Sequence, residues 1–156
     1  MPDPGLVANP GRVRPPRIYL GTILLGVAAH LVWHDHLAPW SVGLPVGSLL
    51  MLAAMALYVG AVRAFKAAGT PVPGNQAATA VVRTGPYRFS RNPIYLAFSL
   101  LQMGLALLVN SPSLLITLLP ALALMAFVVI PREERYLGQR FPAEYAAYKA
   151  ATRRWL

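Results

Sequence analysis

The chain has no cysteine, only five acidic residues in 156, and charged side chains of either sign make up just 12% of it. Without cysteine there are no disulfides, no thiolate metal sites and no cysteine nucleophile, while the compartment stays open. The scarcity of charge excludes more. A soluble domain carries roughly 25% charged residues, and so few could not cover the outside of a water-soluble core. Lipid must cover it instead. Also missing are a Ser-His-Asp arrangement, a phosphate-binding glycine loop and a dinucleotide fingerprint.

What the chain has in quantity is apolar sequence, 56% of its residues. Four runs approach or exceed the length that reads as a spanning helix. They lie at about 18–34, 41–62, 93–109 and 113–130. A signal peptide does not fit the first, because no small-residue cleavage site follows it and three further spans do. The expected fold is an all-α integral membrane bundle of about four transmembrane helices with a C-terminal amphipathic helix.

The formal net charge of +9 would suggest nucleic acid in a soluble protein, but here its placement decides. Arg12, Arg14 and Arg17 precede the first run, and Arg63, Lys66, Arg83, Arg88 and Arg91 lie between the second and third. Arg132, Arg135, Arg140, Lys149, Arg153 and Arg154 follow the fourth. All 14 basic residues thus fall on one side, and the opposite loops carry only Asp35. The positive-inside rule puts both termini in the cytoplasm. Anionic lipid headgroups are the natural partners of that basic face, and nucleic acid is not.

By length the chain is one domain. Residues 1–16, rich in proline, glycine and arginine, read as a disordered or surface lead to a single membrane domain over 17–156. Trp33 and Trp40 flank a short outer loop as interfacial anchors. Gly43 and Gly47 have the spacing of a close helix contact, with Pro45 between them. The loop from Lys66 to Arg91 exceeds the 12–15 residues or so beyond which loops are usually functional or disordered. Its Val81, Val82, Tyr87 and Phe89 favour packing. After the fourth run the pattern continues as helix, breaks near Gly138 and restarts at Pro142. Phe141, Tyr145, Tyr148, Thr152 and Trp155 share one face of that last helix, which would lie at the headgroups or fold over the bundle.

RTGPYRFSRNPIYLA, residues 83–97, places three arginines, a glycine and two prolines directly before an apolar helix. The first turn starting at Pro93 offers unpaired N–H groups and a partial positive charge, which suit an anion. Arg91 and Asn92 stand at that entrance, and Gly85 would let the backbone approach a ligand. Glu133 and Glu134 oppose the helix dipole at the end of the fourth span, so they call for a cation or hydroxyls. Arg91 on one wall and Glu134 on the other suit a zwitterion with extra positive charge, such as S-adenosylmethionine. His30 and His34 have a metal-compatible spacing beside Asp35, but no further ligand is evident and no metal is expected.

Thr84-Gly85-Pro86-Tyr87-Arg88, then Arg91-Asn92-Pro93-Ile94-Tyr95, a helical hairpin, Glu133-Glu134 and Glu144-Tyr145-x-x-Tyr148 occur in that order. This ordered set, over roughly 63–156, resembles the isoprenylcysteine carboxyl methyltransferase and phospholipid methyltransferase superfamily. The resemblance implies an S-adenosylmethionine-dependent methyltransferase of the bacterial inner membrane, with S-adenosylhomocysteine as product and a lipophilic substrate arriving from the bilayer. It implies one cofactor wall of Gly85, Tyr87, Arg91, Asn92, Pro93 and Tyr95, and another of Glu133, Glu134, Tyr145 and Tyr148. Arg91, Asn92 and Glu134 are the catalytic candidates. Members of the family often have histidine where this chain has Asn92, which cannot titrate. With no dedicated base in view, the expected acceptor is a carboxylate or thiolate rather than an amine. The alternatives are a phospholipid N-methyltransferase, an NADPH-dependent membrane reductase of related architecture and a non-catalytic scaffold.

Overall fold

A computed structural model describes residues 14–34, 36–72 and 76–156. The lead expected over 1–16 falls outside these residues up to position 13, and so does Asp35 of the weighed histidine cluster.

Proline punctuates the fold. The helices are α1 (Pro15–Trp33), α2 (Trp40–Ala67), α3 (Pro93–Leu108), α4 (Pro112–Leu124), α5 (Ile130–Arg140) and α6 (Pro142–Ala151). All but α2 carry a proline in their first two positions, where the missing N–H costs nothing and the fixed φ already suits a helix. Ser111 caps α4 by accepting a hydrogen bond from the Leu114 N–H. A 3-10 turn, Gly85–Arg88, precedes α3, and a π-helical turn, Met125–Val129, joins α4 to α5.

Three helices are long and apolar enough to cross a membrane: α1, α2 and the continuous Pro112–Arg140 helix that α4, the π turn and α5 form together. Helix α3 is apolar but shorter. Leu24, Leu31, Leu52, Ile116 and Phe127 are exposed on the outside of this all-helical bundle, where lipid rather than water is their solvent. The protein is an integral membrane protein.

Helix α3 is the hub, packed along α2 and against α4 and α1, while α1 packs chiefly on α4. The close α2–α3 contact depends on missing side chains. A Cβ on Gly47 would sit 3.0 Å from the Gly104 carbonyl oxygen, and one on Gly104 would sit 3.0 Å from that of Gly47. Gly43 approaches the Leu107 carbonyl oxygen in the same way, so the Gly43/Gly47 spacing marks a real interface despite Pro45. Between α1, α3 and α4 the cement is polar. Fully buried Gln102 donates to the Leu114 carbonyl at 3.1 Å and accepts from Thr22 Oγ1 at 3.1 Å. In an apolar bundle these partners satisfy an amide that would otherwise be costly to bury.

Pro131 has no N–H for the Phe127 carbonyl, and its ring would clash there. The π turn absorbs this: the Ile130 N–H reaches back to the Met125 carbonyl, and the helix gains one residue. The extra residue rotates everything downstream by about 100°. Arg132 therefore points outward, and the face continuing from Leu114, Leu118 and Ala121 carries Glu133, Glu134 and Leu137 instead.

Gly138, the expected break, lies inside α5; the chain bends at Phe141, with φ −132 and ψ 63. The cause is Pro142, which drives the preceding residue out of helical geometry. Helix α6 then folds back under the bundle rather than extending along the headgroups. Tyr145 and Tyr148 pack with Val81, and partly buried Leu137 and Phe141 complete the cluster.

Candidate active site

The arginine-rich ends of α3, α5 and α6 converge on one cavity at the basic end of the bundle. Tyr87, Arg91, Asn92, Tyr95, Glu133, Glu134, Tyr145 and Tyr148 all line it. Gly85 and Pro93 do not. Gly85 has φ +58, a conformation only glycine adopts freely, and it packs near Ala64 and Gly60 of α2. Its role is to turn the chain so that Tyr87 enters the cavity, where that ring meets Phe65 edge-on at 5.2 Å. Pro93 is buried at the start of α3.

Two arginines share Glu134. Arg91 Nη2 lies 3.1 Å from its Oε1, with the Arg91 side chain 8% exposed and that of Glu134 12%. Arg154 grips the same carboxylate with Nε at 3.1 Å and Nη2 at 2.7 Å. This group of three carries one net positive charge. Nε and Nη1 of Arg91 are buried without a hydrogen-bond partner. Buried donors are nearly always satisfied, so an acceptor belongs in front of them.

Glu133 differs sharply from its neighbour. Tyr95 donates its phenol hydrogen to Glu133 Oε1 at 2.5 Å, and among the described residues no cation lies within ion-pairing distance. Tyr95 is itself fixed at the start of α3, where its carbonyl accepts from Tyr19 at 3.2 Å and from Ser99 at 2.9 Å. Tyr87, Tyr145 and Tyr148 keep their phenol protons and so offer no base. Burial pushes the Tyr145 phenol up to about 12, helped by the Glu134 charge, and burial raises Tyr87 and Tyr148 as well. Tyr148 donates to the Tyr87 carbonyl at 2.8 Å.

Two tethered segments border the site, and the loop after α2 adds Ala78, Ala80, Val81 and Val82 to the cavity wall. The loop after α2 is clasped at Ala78, whose N–H donates to Tyr136 Oη at 3.0 Å and whose carbonyl accepts from Arg140 Nε at 2.6 Å. The C-terminal strap is buttoned to the entrance of α3. The Arg91 N–H donates to the Arg153 carbonyl at 2.9 Å, and Asn92 Nδ2 donates to the Arg154 carbonyl at 2.8 Å. Asn92 thus spends its amide on holding the strap.

Several lining residues escape the sequence motifs, among them Tyr58, Phe65, Phe98, Val82 and Leu137. Tyr58 and Phe65 are seven apart on α2 and so share a face, which is the signal that could have found them. Arg154, read from sequence only as surface charge, is the second partner of Glu134.

The family model described as phospholipid methyltransferase matches residues 42–144, which include both glutamates, the arginine entrance and most of the bundle. Over 72 residues the chain is 38% identical to the cobalt-zinc-cadmium resistance protein CzcN of Cupriavidus metallidurans. That stretch is 46% of this chain and spans only 33% of the relative. No solved structure matches. By the family match, which takes in the ordered motifs from Thr84 through Glu133 and Glu134, this chain belongs to the phospholipid methyltransferase family.

Proposed function

We propose that the protein transfers a methyl group from S-adenosylmethionine to a lipophilic or small amphiphilic substrate at the cytoplasmic surface of a bacterial inner membrane. The observation that carries this reading is Arg91, buried at the cavity wall with two donors unpaired. Those donors suit the cofactor's carboxylate, and Glu134 on the wall opposite suits its ammonium or ribose hydroxyls. Apolar and aromatic side chains, among them Phe65, Tyr87 and Tyr145, supply surface for a flat adenine. The donor set therefore fits the group. When bound, S-adenosylmethionine supplies a methyl carbon made electrophilic by its sulfonium.

The chain's own contribution is orientation and exclusion of water. Holding two reactants in line can supply about 7–11 kcal/mol of a barrier. The strap holds the Arg91–Asn92 entrance in place, and the loop clasped at Ala78 walls the cavity on the side of the basic residues. Tyr58 of α2 and Phe98 of α3 line its apolar side toward the spanning helices, where a hydrocarbon chain would lie. The basic end of the bundle faces the cytoplasm by the positive-inside rule and attracts anionic headgroups. O- or S-methylation of a carboxylate or thiolate is the reaction expected if no residue of the site serves as a base, and N-methylation of an amine if one does, so the choice of acceptor turns on Glu133.

Purified protein in nanodiscs of bacterial lipid extract, given S-adenosylmethionine labelled in its methyl group, tests the reading. Label should pass into the organic-extractable fraction and should not do so with Arg91→Ala. Preferential NADPH binding would favour a reductase instead, and binding of neither cofactor a scaffold.

A further inference from the structure

The cavity's two adjacent carboxylates are not equivalent. Glu134 is held by two guanidinium groups, which occupy both of its oxygens. Asn92 cannot titrate, and the three lining phenols outside the spans are shifted upward by burial and so stay protonated. Among the described lining residues there is no histidine, lysine or cysteine. Glu133 alone combines a place on the cavity wall with the absence of an ion-pair partner. Its Oε1 is occupied by the Tyr95 phenol, which fixes the carboxylate's rotation and leaves Oε2 for a ligand.

We infer that Glu133 is the proton acceptor of the site, oriented by Tyr95, and that it serves a nucleophile that arrives still carrying its proton. This rests on the methyltransferase reading and sharpens it, moving Glu133 from the cofactor wall to the acceptor side. The step is a simple transfer. An ammonium N–H bond breaks, an O–H bond forms at Glu133 Oε2, and an ammonium–carboxylate pair becomes a neutral amine with a free lone pair beside a neutral acid. No charge is left unpaired in the apolar cavity. A preformed carboxylate or thiolate, by contrast, would enter as a second anion beside Glu133, which like-charge repulsion opposes. The π turn supports the assignment independently, because it is what rotates Glu133 inward and Arg132 outward.

The test uses the full chain in detergent with n-octylamine, n-octanoate and n-octanethiol as probes, without cofactor and then with labelled S-adenosylmethionine. Cofactor-free protein should bind octylamine, and Glu133→Gln should weaken that binding at least tenfold. S-adenosylhomocysteine should bind Glu133→Gln as it binds the parent, which also reports that the variant is folded. In turnover, general-base removal should lower kcat for octylamine by about 10²–10⁴-fold. The loss should shrink as pH rises and the free amine supplies itself; the charged and titratable groups facing Glu133, namely Tyr95, Tyr87, Tyr145, Arg91 and Glu134, are unchanged in the variant. Glu133→Asp, which keeps a carboxylate, should recover part of the rate. Octylamine binding indifferent to Glu133→Gln would overturn the inference, as would loss of S-adenosylhomocysteine binding in that variant, which would return Glu133 to the cofactor wall. Failure of the parent protein to bind S-adenosylhomocysteine contradicts the methyltransferase reading instead, separately from the amine result.

Discussion

Arg91, at the entrance of α3, and Glu134, on α5, meet at 3.1 Å with both side chains almost wholly buried. The pair ties the two halves of the site to each other, and the strap to both through Arg154. One carboxylate thus sets the spacing between the walls of the cavity, and the predictions below follow from disturbing it or the elements that present it.

Arg91→Ala should weaken S-adenosylhomocysteine binding at least tenfold in titration calorimetry. It also leaves Glu134 with a single partner. Truncating one member of a buried, hydrogen-bonded charge pair typically costs about 2–5 kcal/mol. Arg91→Lys should recover little, because one ammonium cannot both reach Glu134 and present a second planar fork to a ligand. A lysine variant with parental affinity would show that only the charge matters.

Asn92→Ala should loosen the strap without unfolding the bundle. The Arg154 carbonyl loses the shorter of its two donors, keeping only Ser90 Oγ at 3.4 Å, and the Arg91 N–H, bonded to the Arg153 carbonyl, should exchange with solvent faster. Arg154→Ala should do the same with a small cost in global stability, about 0–1 kcal/mol, since its side chain is 40% exposed. Hydrogen exchange read by mass spectrometry on the C-terminal peptide checks both. Unchanged exchange would mean that α6 alone holds the strap in place.

Much of this was legible in the sequence, and the parts that were not share a physical cause. Apolar run length located the starts of the four apolar helices to within about three residues, although only three are long enough to cross a membrane and the last runs on to Arg140. Eight motif residues gather at one cavity, all of them within about two turns of one of the prolines Pro86, Pro93, Pro131 and Pro142. Individual roles were hidden. Glu133 and Glu134 read alike as a pair, yet tertiary packing gives one two arginines and the other none. Gly85 reads as a ligand contact, but its φ of +58 and its packing on α2 make it a turn residue. The π turn follows from Pro131, but its consequence, the rotation of Arg132 outward, depends on where the neighbouring helices sit.

Gly47→Leu or Gly104→Leu should separate α2 from α3. The new Cβ alone would lie 3.0 Å from a facing carbonyl oxygen, and backbone cannot yield as a side-chain tip can. Overpacking of this kind costs about 1–3 kcal/mol. Since α3 carries Tyr95 and follows directly from Arg91, cofactor affinity should fall together with thermal stability. A stable variant with intact binding would show that the glycine contact does not position the site.

Gln102→Leu should lower stability modestly, by about 1 kcal/mol, the scale of interhelical hydrogen bonds in membranes. Thr22→Val in the same background should add little, because both act on one bond, Thr22 Oγ1 to Gln102 Oε1. Denaturation in mixed micelles measures the two single variants and the double. Fully additive losses would argue that the two side chains are not coupled.

The most direct test of the central claim is titration calorimetry of purified protein with S-adenosylhomocysteine and S-adenosylmethionine, with NADPH as the control. The account predicts micromolar binding of the first two, lost in Arg91→Ala, and none of NADPH. Folded protein that binds neither sulfur compound would contradict it, and the cavity at the end of the bundle would then need another ligand.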